Sequence, residues 1–156
     1  MQLNRDMKKW PKSSDPTSFG VLNRSELMSR IKSSGNITTE FTFRNMLKAN
    51  GIKGWRRNYP LYGKPDFAWP KLKIALFLDG CFWHGHNCSR NLSPKTNIKL
   101  WREKLKKVKD RDLAVNRYLT NLHWSVIRIW ECELKINAYN IIASLRGSIN
   151  SALHSE

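Results

Sequence analysis

Cys81, His86, Cys88 and Cys132 are soft or borderline metal ligands, and the spacing Cys81-x4-His86-x-Cys88 concentrates most of them in one short stretch. A Cys3His set is a common closed, tetrahedral arrangement for structural zinc, and it would use every cysteine of the chain. The alternative is free buried cysteines beside a surface histidine. Asp66 precedes one apolar stretch and Asp79 ends the next, so two hairpin-connected strands could bring both carboxylates to one place. Carboxylates at strand ends can hold Mg2+, which polarises a phosphodiester and lowers the pKa of bound water. A blander reading has Asp66 capping a turn and Asp79 in an Asp-Gly turn. His84 lies in the same loop as the cysteines. A neutral imidazole there can take a proton from water or deliver one to a leaving 3′-oxygen. Its rival roles are zinc ligand, displacing His86, and loop packing.

Phe82 and Trp83 separate Cys81 from His84. Adjacent large aromatics point in different directions, so both do not easily enter one core. Apolar wedges pushed into a base step are a known way of prying a duplex open. Downstream, Lys95, Lys99, Arg102, Lys104, Lys106, Lys107, Lys109, Arg111 and Arg117 face only Glu103, Asp110 and Asp112. That polar face could track phosphates or simply be solvated.

These residues must be positioned by the elements around them. Leu22, Leu27, Met28 and Ile31 fall at helical spacing, and a second helix with Phe41, Phe43, Met46 and Leu47 can be capped by Thr38 or Thr39 and closed at Asn50-Gly51. The period then changes. Trp55 to Tyr59 reads as a strand, Leu61 to Pro65 as a turn, and Asp66 to Trp69 as the opening of a second strand. The run Ile74 to Leu78 has the look of a central strand buried on both faces. Trp101, Leu105, Val108, Val115, Leu119 and Leu122 align on one stripe of a long helix from about Asn97 to Asn121, and Asp112 is the carboxylate that interrupts it. A buried carboxylate there needs a partner. Trp124 to Trp130 is a fourth strand, with Cys132 just beyond, and Ala138 to Leu153 a last helix. His123 and His154 fall in a loop and near the tail. The sum is an α/β fold with a mixed central β-sheet flanked by helices.

The chain of 156 residues carries 28 Lys+Arg against 12 Asp+Glu, a net charge of +16, with 40% hydrophobic and 11% aromatic residues. That excludes disorder of the whole chain, and no run of about 18 apolar residues exists to cross a membrane as a helix. Such a basic, aromatic-rich chain points to nucleic acid. Met1 to Gly20 lacks the apolar region of a secretory signal, and 3 Cys, an odd number, argue against a disulfide framework. A flexible arm over residues 1–20, a single domain over 21–156 and a cytoplasmic location are expected.

The block Gly63-Lys64-Pro65-Asp66-Phe67, followed by Leu76-Phe77-Leu78-Asp79-Gly80-Cys81-Phe82-Trp83-His84-Gly85-His86-Asn87-Cys88, resembles the very short patch repair (Vsr-type) endonucleases. Ile129-Trp130-Glu131-Cys132 is similar to their last core strand, and Leu27 to Ile31 with Thr39-Glu40 to their N-terminal helices. The resemblance spans about residues 22–135. It implies a restriction-endonuclease-like fold and Mg2+-dependent nicking of one strand of double-stranded DNA at a T:G mismatch. It assigns Asp66 and the backbone of Leu78 to Mg2+, His84 to catalysis with Glu40 in support, and Cys81, His86, Cys88 and Cys132 to Zn2+. Phe82, Trp83 and Met28 become the wedge into DNA. Asp79 stands where a well-known member has histidine, which restores a two-carboxylate pattern and adds Asp79 to the expected Mg2+ ligands and catalytic residues. The lysine that usually follows that pattern in restriction nucleases is replaced by Cys81, so His84 must serve. Lys64 and Arg111 complete the expected DNA contacts. A monomer is expected, with repair-pathway protein partners possible in principle. Two other functions fit the same residues: a restriction or site-specific nicking enzyme acting on matched DNA, and a zinc-stabilised DNA-binding module without nuclease activity.

Overall fold

The computed structural model describes residues 37–88 and 96–154, all within the unit running from Ser33 to Glu156. Met28, the arm 1–20 with its expected boundary, the helix expected after Asn23, and Lys95 lie outside the described residues.

Helix α1 spans Ile37–Ala49. Phe43 and Leu47, one turn apart, are fully buried, whereas Phe41 faces out. Thr38 and Thr39 fall inside the first turn rather than before it. The helix closes at the expected signal: Gly51 adopts φ 66°, and the amides of Ile52 and Gly51 return to the carbonyls of Leu47 and Lys48 at 2.9 and 3.0 Å. This paired closure needs a left-handed residue, which glycine supplies without steric cost.

The described strands form one mixed sheet in the order β1-β2-β3-β4, with β1 Arg56–Arg57, β2 Phe67–Trp69, β3 Ile74–Asp79 and β4 Ser125–Trp130. The first two pairings are antiparallel, and β3 runs parallel to β4. Strand β1 is shorter than the expected Trp55 to Tyr59 because Asn58 turns to φ 50°, which no ladder residue can adopt. Strand β3 is an inner strand buried from Ile74 through Phe77, as its apolar run predicts.

Each face of the sheet carries its own core. Phe67, Trp69, Ile74, Leu76 and Ile129 join Phe43 and Leu47 of α1, together with Leu134, Ile142 and Leu145. On the other face Ala75 and Phe77 meet Val115 and Leu119. Burying one such aliphatic or aromatic side chain is worth about 1.5–3 kcal/mol. Helix α2, Ile98–Asn121, supplies Val115 and Leu119 and is the crossover that parallel pairing of β3 and β4 requires. Trp101, Val115 and Leu119 of its stripe are buried, while Leu122 ends up exposed.

Two features bear directly on the placement of the acids and thiols. Gly63, at φ 83°, lets the turn before Asp66 lie on α2: a Cβ there would sit 2.4 Å from Val115 Cγ1. After β4 the chain enters a short helix, α3 (Glu131–Ile136), absent from the sequence reading, before α4 (Ala138–Leu153), which has the expected limits. Cys132 therefore belongs to a first helical turn rather than to a strand extension. Glu133 accepts the Trp130 amide at 3.3 Å, which closes that helix start. Among the described residues no helix is long and apolar enough to cross a membrane.

Candidate active site and metal-ligand cluster

Asp66 stands at the entry of β2, and its Oδ2 accepts the Leu78 amide at 2.7 Å across the hairpin. Burial pushes its carboxyl up to about 6, with the like charges of Glu40 and Asp79 adding to the rise. The Leu78 hydrogen bond and the Arg57 charge pull the other way. Glu40, on α1, pairs with the Arg57 guanidinium of β1. The hairpin and α1 thus bring Asp66, Glu40 and Asp79 into one acidic corner, as the spacing of Asp66 and Asp79 predicts.

Asp79 ends β3 and is buried. Its Oδ2 receives Nη1 of Arg128 at 2.6 Å, and its Oδ1 lies 3.6 Å from His84 Nε2. On the other side of the imidazole, Nδ1 lies 2.5 Å from Asp112 Oδ2. This assigns the Nδ1–H to a bond donated to Asp112 and leaves Nε2 on the acidic side. Burial alone would raise the Asp112 carboxyl, but its bond to His84 and the charges of His84, Arg128 and Arg111 outweigh it and hold the group below its ordinary range. The carboxylate that interrupts the α2 stripe therefore has the partners its burial demands.

The loop carrying His84 is wound tightly, with the His84 amide on Gly80 O at 3.2 Å and the His86 amide on Cys81 O at 2.9 Å. Gly85 (φ 61°) lies under Lys109 of α2, where a Cβ would come within 2.6 Å of Lys109 Cε. The ligand atoms of Cys81, His86, Cys88 and Cys132 all lie within 4.8 Å of one another and could hold a metal ion. Cys132 Sγ is 3.4 Å from His86 Nδ1, and the His86 ring stacks on Trp130 at 4.2 Å with a 5° interplanar angle. Burial, and after it the thiols of Cys132 and Cys88, push the Cys81 thiol up to about 11, partly offset by the Cys132 amide. Four donors this close form the kind of set a soft cation completes.

Phe82 and Trp83 are half-buried and edge-packed on each other at 5.1 Å, and both touch Trp101, at 5.1 and 6.1 Å. Lys104 Nζ lies over the Trp83 and Trp101 rings, at 5.1 and 5.2 Å. Trp101, read from the sequence only as a core residue, is the platform beneath the two loop aromatics. Lys64 is exposed in a left-handed turn position, and Arg111 is 58% exposed with Nη2 3.6 Å from Asp112. Arg57 and Arg128 are the residues the sequence reading missed. A lone arginine inside the apolar run Val126 to Ile129 was the available signal for Arg128.

A family model described as DNA mismatch endonuclease Vsr matches residues 18–90. The type II nicking enzyme V.NmeAIP of Neisseria meningitidis serogroup A is 38% identical over 121 residues, which cover 77% of this chain and 85% of that protein. The chain belongs to the Vsr family. The type II nicking enzyme V.XorIIP of Xanthomonas oryzae pv. oryzae is 33% identical over 71% of this chain and 81% of its own length. The DNA mismatch endonuclease Vsr of Escherichia coli is 34% identical over 58% of each chain. Membership in the Vsr family makes the protein a DNA endonuclease, a phosphodiester hydrolase, and DNA the substrate that its +16 charge faces.

Proposed function

We propose that this protein is a Mg2+-dependent endonuclease that nicks one strand of duplex DNA at a T:G mismatch, on a restriction-endonuclease-like core. The observation that carries the reading is the His84–Asp112 pair at 2.5 Å, set on the loop that leaves β3 beside the acidic corner of Asp66 and Asp79. A desolvated carboxylate crowded by two like charges is an environment that a divalent cation relieves. Asp66 and the Leu78 carbonyl would hold Mg2+, with Glu40 behind them; Asp79, the further ligand expected from the sequence, instead turns its two oxygens to Arg128 and His84. When bound, Mg2+ polarises the phosphodiester and lowers the pKa of the attacking water.

His84 does the proton work. Asp112 fixes Nδ1, which aims Nε2 at the acidic corner and stabilises the imidazolium that forms on protonation. Water attacks phosphorus and the bond from phosphorus to the 3′-oxygen breaks. The proton given up by the water passes to Nε2, and the leaving 3′-oxygen takes up one, giving a 3′-hydroxyl and a 5′-phosphate.

Zinc is the cation proposed for Cys81, His86, Cys88 and Cys132, because three thiolates and one imidazole suit a closed tetrahedral site. It would tie the His84 loop to α3 and serve structure rather than chemistry. Phe82 and Trp83, with Met28, would wedge into the mismatch, while Lys64, Arg111 and the lysines of α2 neutralise phosphates. The proposed acting unit is a monomeric domain over residues 21–156, working in the cytoplasm on duplex DNA.

A second reading, nicking at a matched recognition sequence, is favoured by the nicking-enzyme names of two relatives that cover more of this chain than the mismatch endonuclease does. A pair of duplexes identical except for one T:G or T:A position, incubated with Mg2+ and resolved on denaturing gels, decides between them. A nick confined to the T:G duplex supports the first reading, and equal cutting of both supports the second. No cleavage of any duplex with Mg2+ or Mn2+ would reduce the protein to a DNA-binding module.

A further inference from the structure

Arg128 is the charged residue of β4, whose sequence is otherwise Ser-Val-Ile-x-Ile-Trp. Its register partner on β3 is Phe77, two residues before Asp79, so its side chain rises on the face that carries the Asp79 carboxylate and that α2 covers. There every nitrogen of the guanidinium is engaged. Nη1 reaches Asp79 Oδ2 at 2.6 Å, Nη2 reaches Asp112 Oδ1 at 3.3 Å, and Nε donates to Asn116 Oδ1 at 3.0 Å. The guanidinium carbon lies 4.7 Å from the centre of the Phe77 ring.

The partners of Arg128 are also the partners of His84. Asp79 gives Oδ2 to Arg128 and turns Oδ1 toward His84 Nε2 at 3.6 Å; Asp112 gives Oδ1 to Arg128 and Oδ2 to His84 Nδ1 at 2.5 Å. The result is a closed ring, Arg128–Asp79–His84–Asp112, in which each carboxylate splits its two oxygens between the guanidinium and the imidazole. Its members come from β4, β3, the following loop and α2.

Resting on the nuclease reading above, we propose that Arg128 is a positioning residue of the nicking reaction: it holds Asp79 and Asp112 as the two jaws that orient His84, and it keeps Asp79 on the histidine rather than in the Mg2+ shell. Arginine suits this place because its planar fork serves two carboxylates at fixed angles, whereas a lysine offers one compact charge. Without the cation, the buried Asp79 carboxylate and the partly buried Asp112 carboxylate face each other across the imidazole and must move apart. Removing either jaw's charge together with the cation leaves the balance of the ring intact.

The test uses the full-length protein and reads both kinetics and the histidine itself. Arg128→Gln is expected to lower the single-turnover nicking rate by on the order of 10²-fold with the duplex KM within about 2-fold, as befits misplacement of a reacting group rather than lost DNA binding. The downfield Nδ1–H proton resonance that the 2.5 Å bond to Asp112 leads one to expect for His84 in the wild type should disappear. The double variant Asp79→Asn/Arg128→Gln should regain at least about 10-fold in rate over Arg128→Gln, because the uncompensated carboxylate is gone. Asp79→Asn alone should keep the thermal stabilisation by Mg2+ that Asp66→Asn loses. An Arg128→Gln protein with wild-type rate and an unchanged resonance overturns the proposal, as does a double variant no faster than the single. Loss of Mg2+ stabilisation in Asp79→Asn would return Asp79 to the metal. Should Arg128→Gln show no melting transition, Arg128→Lys is read the same way, with a smaller rate loss and a weakened resonance expected. A wild-type protein that nicks no duplex overturns the nuclease reading alone, since the resonance still reports whether Arg128 holds His84.

Discussion

The Leu78 amide donates to Asp66 Oδ2 at 2.7 Å, so the residue that opens β2 is fastened to the penultimate residue of β3. Main chain rather than side chain sets the first acid of the site. The same residue, Leu78, lies near the C-terminal end of the inner strand β3, whose buried side chains leave its backbone little freedom.

Replacement of Asp66 separates grip from chemistry. Asp66→Ala should abolish Mg2+-dependent nicking, by on the order of 10³-fold or more, since both phosphodiester polarisation and water activation depend on the cation. Metal-free DNA binding should tighten, because one negative charge facing the phosphates is gone. Single-turnover cleavage together with gel-shift titration without divalent ions checks both. Retained cleavage would remove Asp66 from the metal site.

The elevated Asp66 pKa gives stability a sign. Its folded value, about 6, lies above the unfolded 3.8, so the protonated group favours folding. That contribution, about 3 kcal/mol at most from the size of the shift, is fully present below about pH 3.8 and is lost as pH rises through about 6. Mg2+ requires the ionised carboxylate and should therefore restore stability mainly above about pH 6. Asp112, held below its ordinary range, works in the opposite direction and loses its contribution as pH falls. Thermal melts from acidic to neutral pH, with and without Mg2+, in wild type and Asp66→Asn, check this. An Mg2+ effect that is equal at all pH values would contradict it.

The thiol cluster should behave as one bound metal. Cys88→Ser or Cys132→Ser should lower bound zinc from about one ion per chain toward none and reduce the melting temperature clearly, with nicking lost because the His84 loop is released. Metal analysis beside calorimetry reads both. A Cys132→Ser protein that keeps full zinc content and activity would show that the cysteines are merely packed.

Grip and choice should part under salt. Binding to matched and T:G duplexes should weaken alike as salt rises, with log K falling by about 0.9 per phosphate contact, while the ratio between them stays nearly constant. Trp83→Ala should reduce that ratio by about 10- to 100-fold, the equivalent of ~1–3 kcal/mol of aromatic stacking, with little change in salt slope. Trp101→Ala should do the same through loss of the platform under Phe82 and Trp83. Fluorescence anisotropy on both duplexes over a salt series measures it.

Much of this was legible in the residues. The apolar run of β3, the limits of α4, the glycine closure of α1 and the odd Asp112 in the α2 stripe are all local signals, and each appears where its pattern puts it. Asp66, Asp79 and the thiol cluster converge because a hairpin and one parallel pairing are enough to bring them together. The misses are of another kind. Strand β1 stops early because Asn58 leaves the extended region, and Cys132 falls on a helix because Glu131 and Glu133 begin a new turn directly after Trp130. Arg128 meets Asp79 across 49 positions of chain, and no local period announces such a contact. Its sole trace was a charge in a strand that had no reason to tolerate one.

The thiol cluster also imposes an order of assembly. Cys81, His86 and Cys88 are close in the chain, but Cys132 joins them only once α2 has crossed over, β4 has paired with β3 and α3 has begun. Closing that contact means closing a long loop, whose entropic cost must be met before a metal bound there could reward it. A complete ligand set is therefore a certificate of finished folding. Until it is issued, the loop that carries His84 lacks its tie to α3, and a half-folded copy would hold no finished site against the DNA that its charge attracts.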